Sequence, residues 1–104
     1  MTPEQKIKAE IKKYIESKGG YWAVIQGGPY SKPGDPDIVC FFPNDGRFIG
    51  IEAKTPAGVQ SPIQKIRQEE IERKGGIYLL VRSLADMKDQ LKRMGIGDES
   101  RNGS

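Results

Sequence analysis

The stretch DIVCFFPNDGRFIGIEAK, from Asp37 to Lys54, decides the fold of this chain. In it, two segments rich in β-branched and aromatic residues flank an Asn-Asp-Gly sequence, and this pattern predicts a β-hairpin. The loop has either two residues, Asp45 and Gly46, or four residues, from Pro43 to Gly46. Because side chains alternate along a strand, either loop length leaves the same residues on the same face.

The two faces of the predicted hairpin differ in chemistry. Asp37, Glu52 and Lys54 project from one face. A four-residue loop sets Asp37 opposite Glu52, and a two-residue loop sets it opposite Lys54. Directly opposed Cβ atoms lie roughly 4.5–5.5 Å apart, so two carboxylates there can share one metal ion. The other face is apolar and is expected to join the core, with Ile38, Cys40, Phe42, Ile49, Ile51 and Ala53.

The charged face has two interpretations. Two carboxylates are hard oxygen ligands that suit Mg²⁺ or Mn²⁺, and such a metal can activate a water and neutralise charge on a phosphoryl group. The ammonium group of Lys54 can then stabilise developing negative charge or orient the water. The alternative is a structural ion pair on a solvated sheet face, because Glu and Lys two residues apart are common in proteins.

Composition restricts the chemistry that is available. The chain has 104 residues, of which 36% are hydrophobic and 30% charged, and this predicts one soluble globular domain. It has no histidine and a single cysteine, Cys40, which argues against a zinc site and a Ser-His-Asp triad. No apolar run reaches the roughly 20 residues of a membrane span, and no signal peptide is predicted. The net charge of +3 favours an anionic partner.

A first helix is predicted from Thr2, which can cap it, to the Gly19-Gly20 pair. Its buried stripe has helical spacing and consists of Ile7, Ile11, Tyr14 and Ile15. Glu10 lies at the edge of this stripe, where a carboxylate can reach over the sheet edge. The alternative is an ordinary boundary glutamate that pairs with a neighbouring lysine or with water.

A strand from Tyr21 to Ile25 and a glycine-rich connection from Gln26 to Gly34 are predicted before the hairpin. In this connection Lys32 can meet a phosphate. Tyr30 can stack on a base, or it can pack the loop against the domain.

A second helix is predicted to begin after Ser61, where Gln64 can complete a capping box. Its buried positions are expected to include Ile63, Ile66 and Ile71. The helix is basic outside this stripe, so Lys65 and Arg67 are predicted to contact DNA, although a charged helix face is usually only a solvated surface.

The apolar segment from Ile77 to Val81 predicts a buried strand, parallel to the second hairpin strand because a helix connects the two. Ser83 can cap a last helix that ends near Arg93 and buries Leu84, Met87 and Leu91. The order α-β-β-β-α-β with a final helix predicts an α/β fold with a mixed four-stranded sheet flanked by helices. Residues 1–94 are expected to form the domain, and residues 95–104 a flexible tail.

Three segments of the chain resemble the VRR-NUC (virus-type replication-repair nuclease) domain, a family of the PD-(D/E)xK nuclease superfamily. They are Gly34-Asp35-Pro36-Asp37-Ile38, Glu52-Ala53-Lys54 and Ser61-Pro62-Ile63-Gln64. The resemblance covers nearly the whole minimal domain, as in the small stand-alone phage and bacterial members. The αβββαβ core known for that superfamily agrees with the element order given above.

The resemblance implies a nuclease that uses Mg²⁺ or Mn²⁺ to hydrolyse DNA phosphodiester bonds. In this hypothesis Asp37 and Glu52 hold the metal, and the main-chain carbonyl of Ala53 is a further oxygen ligand. Lys54 serves the nucleophile or the transition state. A structural ion pair remains the alternative for the same residues.

The resemblance also implies residues and partners beyond the hairpin. The family places an additional metal-coordinating glutamate on the first helix, for which Glu10 is the candidate, and Gln64 near the active site, where it would compete with its capping role. Stand-alone members are associated with symmetric dimers that resolve four-way junctions. A homodimer that acts on branched DNA is therefore expected, in the cytoplasm of a bacterial or phage-infected cell and with replication or repair proteins as further partners.

Hydrophobic positions near the end of the chain also favour a dimer, because they exceed what one thin layer of helices covers. They are Ile77–Val81, Met87, Leu91 and Met94. Two other functions stay open. One is a DNA-binding module that cuts poorly without a partner, against which the intact set of two acids and a lysine argues. The other is a non-enzymatic interaction domain, which a failure to bind divalent metal would favour.

Overall fold

The computed structural model describes residues 1–97 and contains three helices and four strands. In chain order they are α1 (Pro3–Ser17), β1 (Tyr21–Val24), β2 (Ile38–Phe42), β3 (Asp45–Ala53), α2 (Pro62–Arg73), β4 (Ile77–Val81) and α3 (Leu84–Met94). This is the predicted αβββαβ order with a final helix. Among residues 1–97, no helix is both long and apolar enough to cross a bilayer.

Each helix begins directly after the residue that the sequence predicts as its cap. Thr2 and Ser61 each form a capping box, in which the hydroxyl accepts from the N–H three residues later and that residue's glutamine side chain accepts from the cap N–H. Ser83 accepts a hydrogen bond from the N–H of Asp86. Gly95 ends α3 in a left-handed conformation with φ of 70°, which glycine adopts without steric cost.

The four strands form one mixed sheet in the order β1-β2-β3-β4. Strands β1, β2 and β3 pair antiparallel, and β4 pairs parallel to β3 because α2 carries the chain back between them. The prediction of a mixed four-stranded α/β sheet is therefore confirmed.

The hairpin turn differs from both predicted loops. Phe42 pairs with Asp45, so the loop is Pro43-Asn44, and Asn44 takes a φ of 61°, which asparagine tolerates better than most residues. A bulge after Cys40 then shifts the ladder by two residues. An even shift preserves the alternation of faces, which is why the predicted faces are correct although the predicted loop is wrong.

The apolar face of the sheet packs on α1 and α3, as the hydrophobic pattern predicts. The core contains the six predicted hairpin residues together with Ile7, Ile11, Ile15, Leu79, Val81, Met87, Leu91 and Ile96. Cys40 is buried there as a small apolar residue. Ile96 lies beyond the predicted domain boundary at residue 94, so the packed chain extends further than expected; residues 98–104 of the predicted tail lie outside the described residues.

Helix α2 lies on the other face of the sheet and contributes no buried side chain. The prediction that Ile63 and Ile66 are buried is wrong, because they are 41% and 57% exposed. A Cβ at Gly34 would lie 2.6 Å from the Ile63 carbonyl oxygen, so the loop before β2 packs on the backbone of α2's first turn. The guanidinium of Arg67 fixes the same loop, and polar contacts therefore replace the expected apolar stripe.

Candidate metal centre

Asp37 and Glu52 form a buried acidic pair at one end of the β2–β3 hairpin. Ile38 pairs with Ile51, and one further step in this register sets Asp37 opposite Glu52. The two residues are 5% and 3% exposed, and within residues 1–97 no other charged residue is buried to this degree. Burying two carboxylates is costly unless a cation or hydrogen-bond donors compensate their charge.

The turn before β2 fixes the position of Asp37. Lys32 N–H donates to Asp35 Oδ2 at 2.8 Å, and Arg67 Nε lies 3.3 Å from Asp35 Oδ1. Ile25 N–H donates to the main-chain carbonyl of Asp37 at 3.1 Å, which extends the β1–β2 pairing to the acidic residue itself. Asp37 is thus held by its backbone, and its carboxylate remains available for other contacts.

The oxygens of the acidic pair are unequally satisfied. Asp37 Oδ2 accepts a hydrogen bond from Ala53 N–H at 3.0 Å, and Asp37 Oδ1 lies 3.5 Å from Lys8 Nζ. Glu52 Oε1 is buried and has no hydrogen-bond partner. Leaving a buried acceptor unsatisfied costs about 1–3 kcal/mol, so this oxygen is available to accept from a water or to bind a cation.

The environment of Glu52 disfavours its charged form. Burial, and then the negative charge of Asp37, raise the pKa of Glu52 to about 8, while the positive charges of Lys54 and Lys8 oppose the shift. A bound divalent cation would instead favour the charged form of the buried Glu52 carboxylate, because metal binding displaces protons from its ligands.

The donor set fits a hard divalent cation. Mg²⁺ is usually held by one or two carboxylates and keeps several waters. Within residues 1–97 no group of three Asp, Glu, His or Cys side chains lies close enough together to hold a metal. The two carboxylates would therefore be completed by waters and by a main-chain oxygen, for which the Ala53 carbonyl is the predicted candidate.

Lys54 follows the acidic pair along the chain and is half-buried. Its N–H donates to the Val81 carbonyl at 2.9 Å, so the β3–β4 pairing continues one residue past the end of β3. A Cβ at Gly58 would lie 3.4 Å from two carbons of the Lys54 side chain, so the following loop packs along the aliphatic stem. Arg82 Nη1 holds that loop by donating to the carbonyls of Thr55, Pro56 and Gly58 at 2.8, 3.3 and 2.7 Å.

Glu10 does not lie with the acidic pair. It is exposed, whereas Lys8 of the same helix contacts Asp37. At about 100° per residue, Glu10 points roughly 200° away from Lys8 around α1. The acidic residue of α1 on the site's side is Glu4, whose Oε1 lies 3.3 Å from Lys8 Nζ. The sequence does not favour Glu4 over Glu10, because a glutamate four residues before a lysine is common on helices and does not indicate a site.

Tyr78 lies on the face of the sheet that carries Glu52, and Gln64 lies in the first turn of α2. Gln64 Oε1 accepts from Ser61 N–H at 2.8 Å, which confirms the capping box and leaves only the amide nitrogen for another role. Tyr78 pairs with Gly50, so it shares the face of Glu52. Burial, together with the negative charges of Glu52 and Asp37, raises the pKa of Tyr78 to about 12. The sequence does not indicate that Tyr78 lies on the face of Glu52, because the apolar run around it is typical of a buried core strand.

The four predicted DNA contacts separate into two groups. Tyr30 is 94% exposed, and Lys32 and Lys65 are also exposed, so all three can reach a ligand. Arg67 is different: its guanidinium binds Asp35, the Glu70 carboxylate and the Pro33 carbonyl, and only 19% of its side chain is exposed. Its role in this structure is to fasten α2 to the loop that positions Asp37.

Comparison with solved structures supports the fold. A structure described as a VRR_NUC domain superposes with a TM-score of 0.74 and 23% sequence identity, over 89% of this chain and 97% of that chain. Comparisons with protein-family models and with curated proteins gave no match. The chain therefore has the fold of a VRR_NUC domain, as its sequence motifs predict.

Proposed function

We propose that this protein is a metal-dependent nuclease that hydrolyses DNA phosphodiester bonds. The observation that carries the proposal is the buried Asp37–Glu52 pair, whose Glu52 Oε1 has no partner, beside Lys54 in a VRR_NUC fold. Asp37, Glu52 and the Ala53 carbonyl would hold Mg²⁺ or Mn²⁺, which supplies Lewis-acid stabilisation and an activated water when bound. The two acids are only 5% and 3% exposed, which disfavours the alternative of a structural ion pair on a solvated sheet face.

The residues of the chain contribute binding and charge stabilisation. The positive charge of Lys54 lowers the pKa of Glu52, and the same ammonium group can stabilise negative charge on a phosphate held at the pair or orient the attacking water. We assign the Gln64 amide nitrogen as a further donor, as the family resemblance implies, because the capping box occupies only its amide oxygen. Exposed Lys32, Lys65 and Tyr30 would contact the DNA backbone and bases. Glu10 is left out as a ligand because of its exposed position.

We propose a homodimer and branched DNA as the assembly and substrate. Two active sites at a fixed separation can cut both strands of a junction, and a twofold dimer supplies them from one chain. Part of the sequence argument is wrong, because Met87 and Leu91 lie in the core. Other exposed apolar side chains support an interface instead, namely Tyr21, Phe41, Phe48, Ile63 and Ile66. Cytoplasmic action and replication or repair partners belong to the same proposal.

The test is a panel of labelled linear duplex, flap, single-stranded and four-way-junction DNAs, with EDTA, Mg²⁺ or Mn²⁺. We expect metal-dependent cleavage that is strongest on the junction, and a dimer mass by light scattering at micromolar concentration. Absence of cleavage with every DNA and metal would contradict the nuclease. A monomer that cuts linear duplex and junction equally would contradict the proposed homodimer and the preference for branched DNA. It would not contradict metal-dependent hydrolysis of DNA.

A further inference from the structure

Lys8 contacts the acidic pair although the proposed chemistry does not use it. Its Nζ lies 3.5 Å from Asp37 Oδ1 and 3.3 Å from Glu4 Oε1. The Lys8 side chain is 27% exposed, whereas the side chain of Asp37 is 7% exposed. Lys8 is therefore a partly buried cation that bridges one buried and one more exposed carboxylate.

Lys8 contacts the Asp37 oxygen that is better placed to bind a metal. Asp37 Oδ2 already accepts a hydrogen bond from Ala53 N–H, so Oδ1 is the Asp37 oxygen with more freedom to bind a cation. That oxygen is the one that Lys8 contacts. A divalent ion and an ammonium group a few ångströms apart in a poorly solvated site repel each other.

We propose that Lys8 is a built-in counter-ion of the metal-free site, which competes with the divalent metal for Asp37 and thereby sets the metal affinity. This inference rests on the proposed function only in taking the Asp37–Glu52 pair as the metal site. Glu4 gives the displaced ammonium another partner, because it contacts Lys8 from one helical turn away. The exchange therefore needs a side-chain movement and no change in the backbone.

Competition and simple positioning predict opposite effects. If Lys8 only held Asp37 in place, its removal would loosen the ligand and weaken metal binding. If Lys8 competes, its removal tightens metal binding because a like charge is gone. The sign of the change in metal affinity therefore separates the two roles, and it is measured without any cleavage reaction.

The experiment is calorimetric titration of Mn²⁺ into the DNA-free protein, with wild type, Lys8→Met and Lys6→Met. Lys6 is the matched control, since it is exposed on the same helix and its loss changes the net charge equally. We expect Lys8→Met to bind Mn²⁺ at least about tenfold more tightly than wild type, and Lys6→Met to bind like wild type. Metal-induced increases in melting temperature give a second readout.

Glu4 provides an arm that leaves Lys8 intact. Glu4→Gln removes the alternative partner, so Lys8 stays on Asp37 and Mn²⁺ binding should weaken. In a Lys8→Met background the same substitution should have little effect, because no ammonium remains to be redirected. If Glu4 were itself a metal ligand, its loss would weaken binding in both backgrounds, and this result would overturn the role given to Glu4.

The remaining outcomes distinguish the inference from the proposed function. Mn²⁺ affinity in Lys8→Met that equals or falls below that of wild type would overturn the competition while leaving the metal site standing. Binding by Lys8→Met where wild type shows none would support the competition. Absence of binding in wild type and all variants would overturn both. If Lys8→Met does not fold, Lys8→Gln and the Glu4→Gln arm decide the matter.

Discussion

The ring of Pro36 packs directly on the backbone of Gly50: a Cβ at position 50 would lie 2.7 Å from Pro36 Cγ. Pro36 is buried and precedes Asp37, and Gly50 lies in β3 two residues before Glu52. This contact therefore joins the turn that carries one acid to the strand that carries the other. We therefore expect the spacing of the acidic pair to depend on the absence of a side chain at Gly50.

We expect Gly50→Ala to destabilise the protein and to weaken metal binding. Overpacking at such a contact costs about 1–3 kcal/mol, more than the roughly 0.5–1 kcal/mol that alanine gains in a strand by restricting the unfolded chain. Gly46→Ala is the matched control, since no atom lies within 4 Å of a Cβ built there. Urea unfolding and Mn²⁺ titration of both variants check the prediction, which fails if Gly50→Ala matches Gly46→Ala.

The sequence predicts the face of each hairpin residue but not the register in detail. The period-two alternation from Ile38 to Ala53 is strong because one face is buried. The predicted faces are therefore correct although the predicted turn is wrong. The two-residue turn at Pro43-Asn44 and the compensating bulge after Cys40 arise from packing of the whole sheet. No local pattern specified that pair of irregularities.

Helix periodicity was informative only where the helix faces the core. Ile7 and Ile11 of α1 are buried as predicted, whereas Ile63 and Ile66 of α2 have similar spacing and remain exposed. The side of a helix that reaches a site depends on how the helix docks. This explains why Glu10 was a plausible ligand by sequence although Lys8 is the residue that contacts Asp37.

Neutralising either acid should weaken metal binding. Asp37→Asn and Glu52→Gln keep the shape of the side chain and remove ligand charge, so each should weaken Mn²⁺ affinity by at least about tenfold and eliminate cleavage. Glu10→Gln serves as the control, because Glu10 is exposed and should leave both properties unchanged. Calorimetry with wild-type affinity in both acid variants would remove these residues from the metal site. A loss of affinity in Glu10→Gln would restore it as a ligand.

The metal-free protein should lose stability as the pH rises through neutrality. Burial and the charge of Asp37 raise the pKa of Glu52 from 4.5 to about 8, so the folded state binds a proton that the unfolded state has released. Between about pH 4.5 and pH 8 this group therefore lowers the free energy of unfolding as the pH increases. Urea unfolding in EDTA should show the decline in wild type and a smaller decline in Glu52→Gln. Identical pH profiles would show that Glu52 does not cause it.

Lys54 should be needed for turnover and not for binding. Lys54→Ala is expected to lose about 10²–10³-fold in kcat, as when one charge-stabilising donor is removed, and to keep its affinity for Mn²⁺ and DNA. Lys13→Ala, at an exposed position of α1, provides the matched loss of charge. Single-turnover cleavage and DNA-binding anisotropy measured in Ca²⁺ separate the two properties. A cleavage rate near that of wild type would exclude the role assigned to Lys54.

Arg82 should control the order of the loop that packs on Lys54. Its Nη1 donates to the carbonyls of Thr55, Pro56 and Gly58, and Gly58 lies against the Lys54 stem. Hydrogen bonds to a charged group contribute about 1.5–3 kcal/mol, so Arg82→Ala should lower the free energy of unfolding by that order. Arg82→Lys should recover little of it, because an ammonium group does not reproduce the planar fork of the guanidinium.

The effect of Arg82→Ala should be local, and it should reach the chemistry through Lys54. Hydrogen exchange should increase in residues 54–60 and remain unchanged in α1, while kcat falls and Mn²⁺ affinity is kept. Arg93→Ala is the control, since its guanidinium pairs with Asp89 on the exposed surface of α3, where such a pair contributes little. Exchange that rises equally in α1 would indicate global destabilisation. A normal kcat despite faster exchange in residues 54–60 would show that the position of this loop does not limit catalysis.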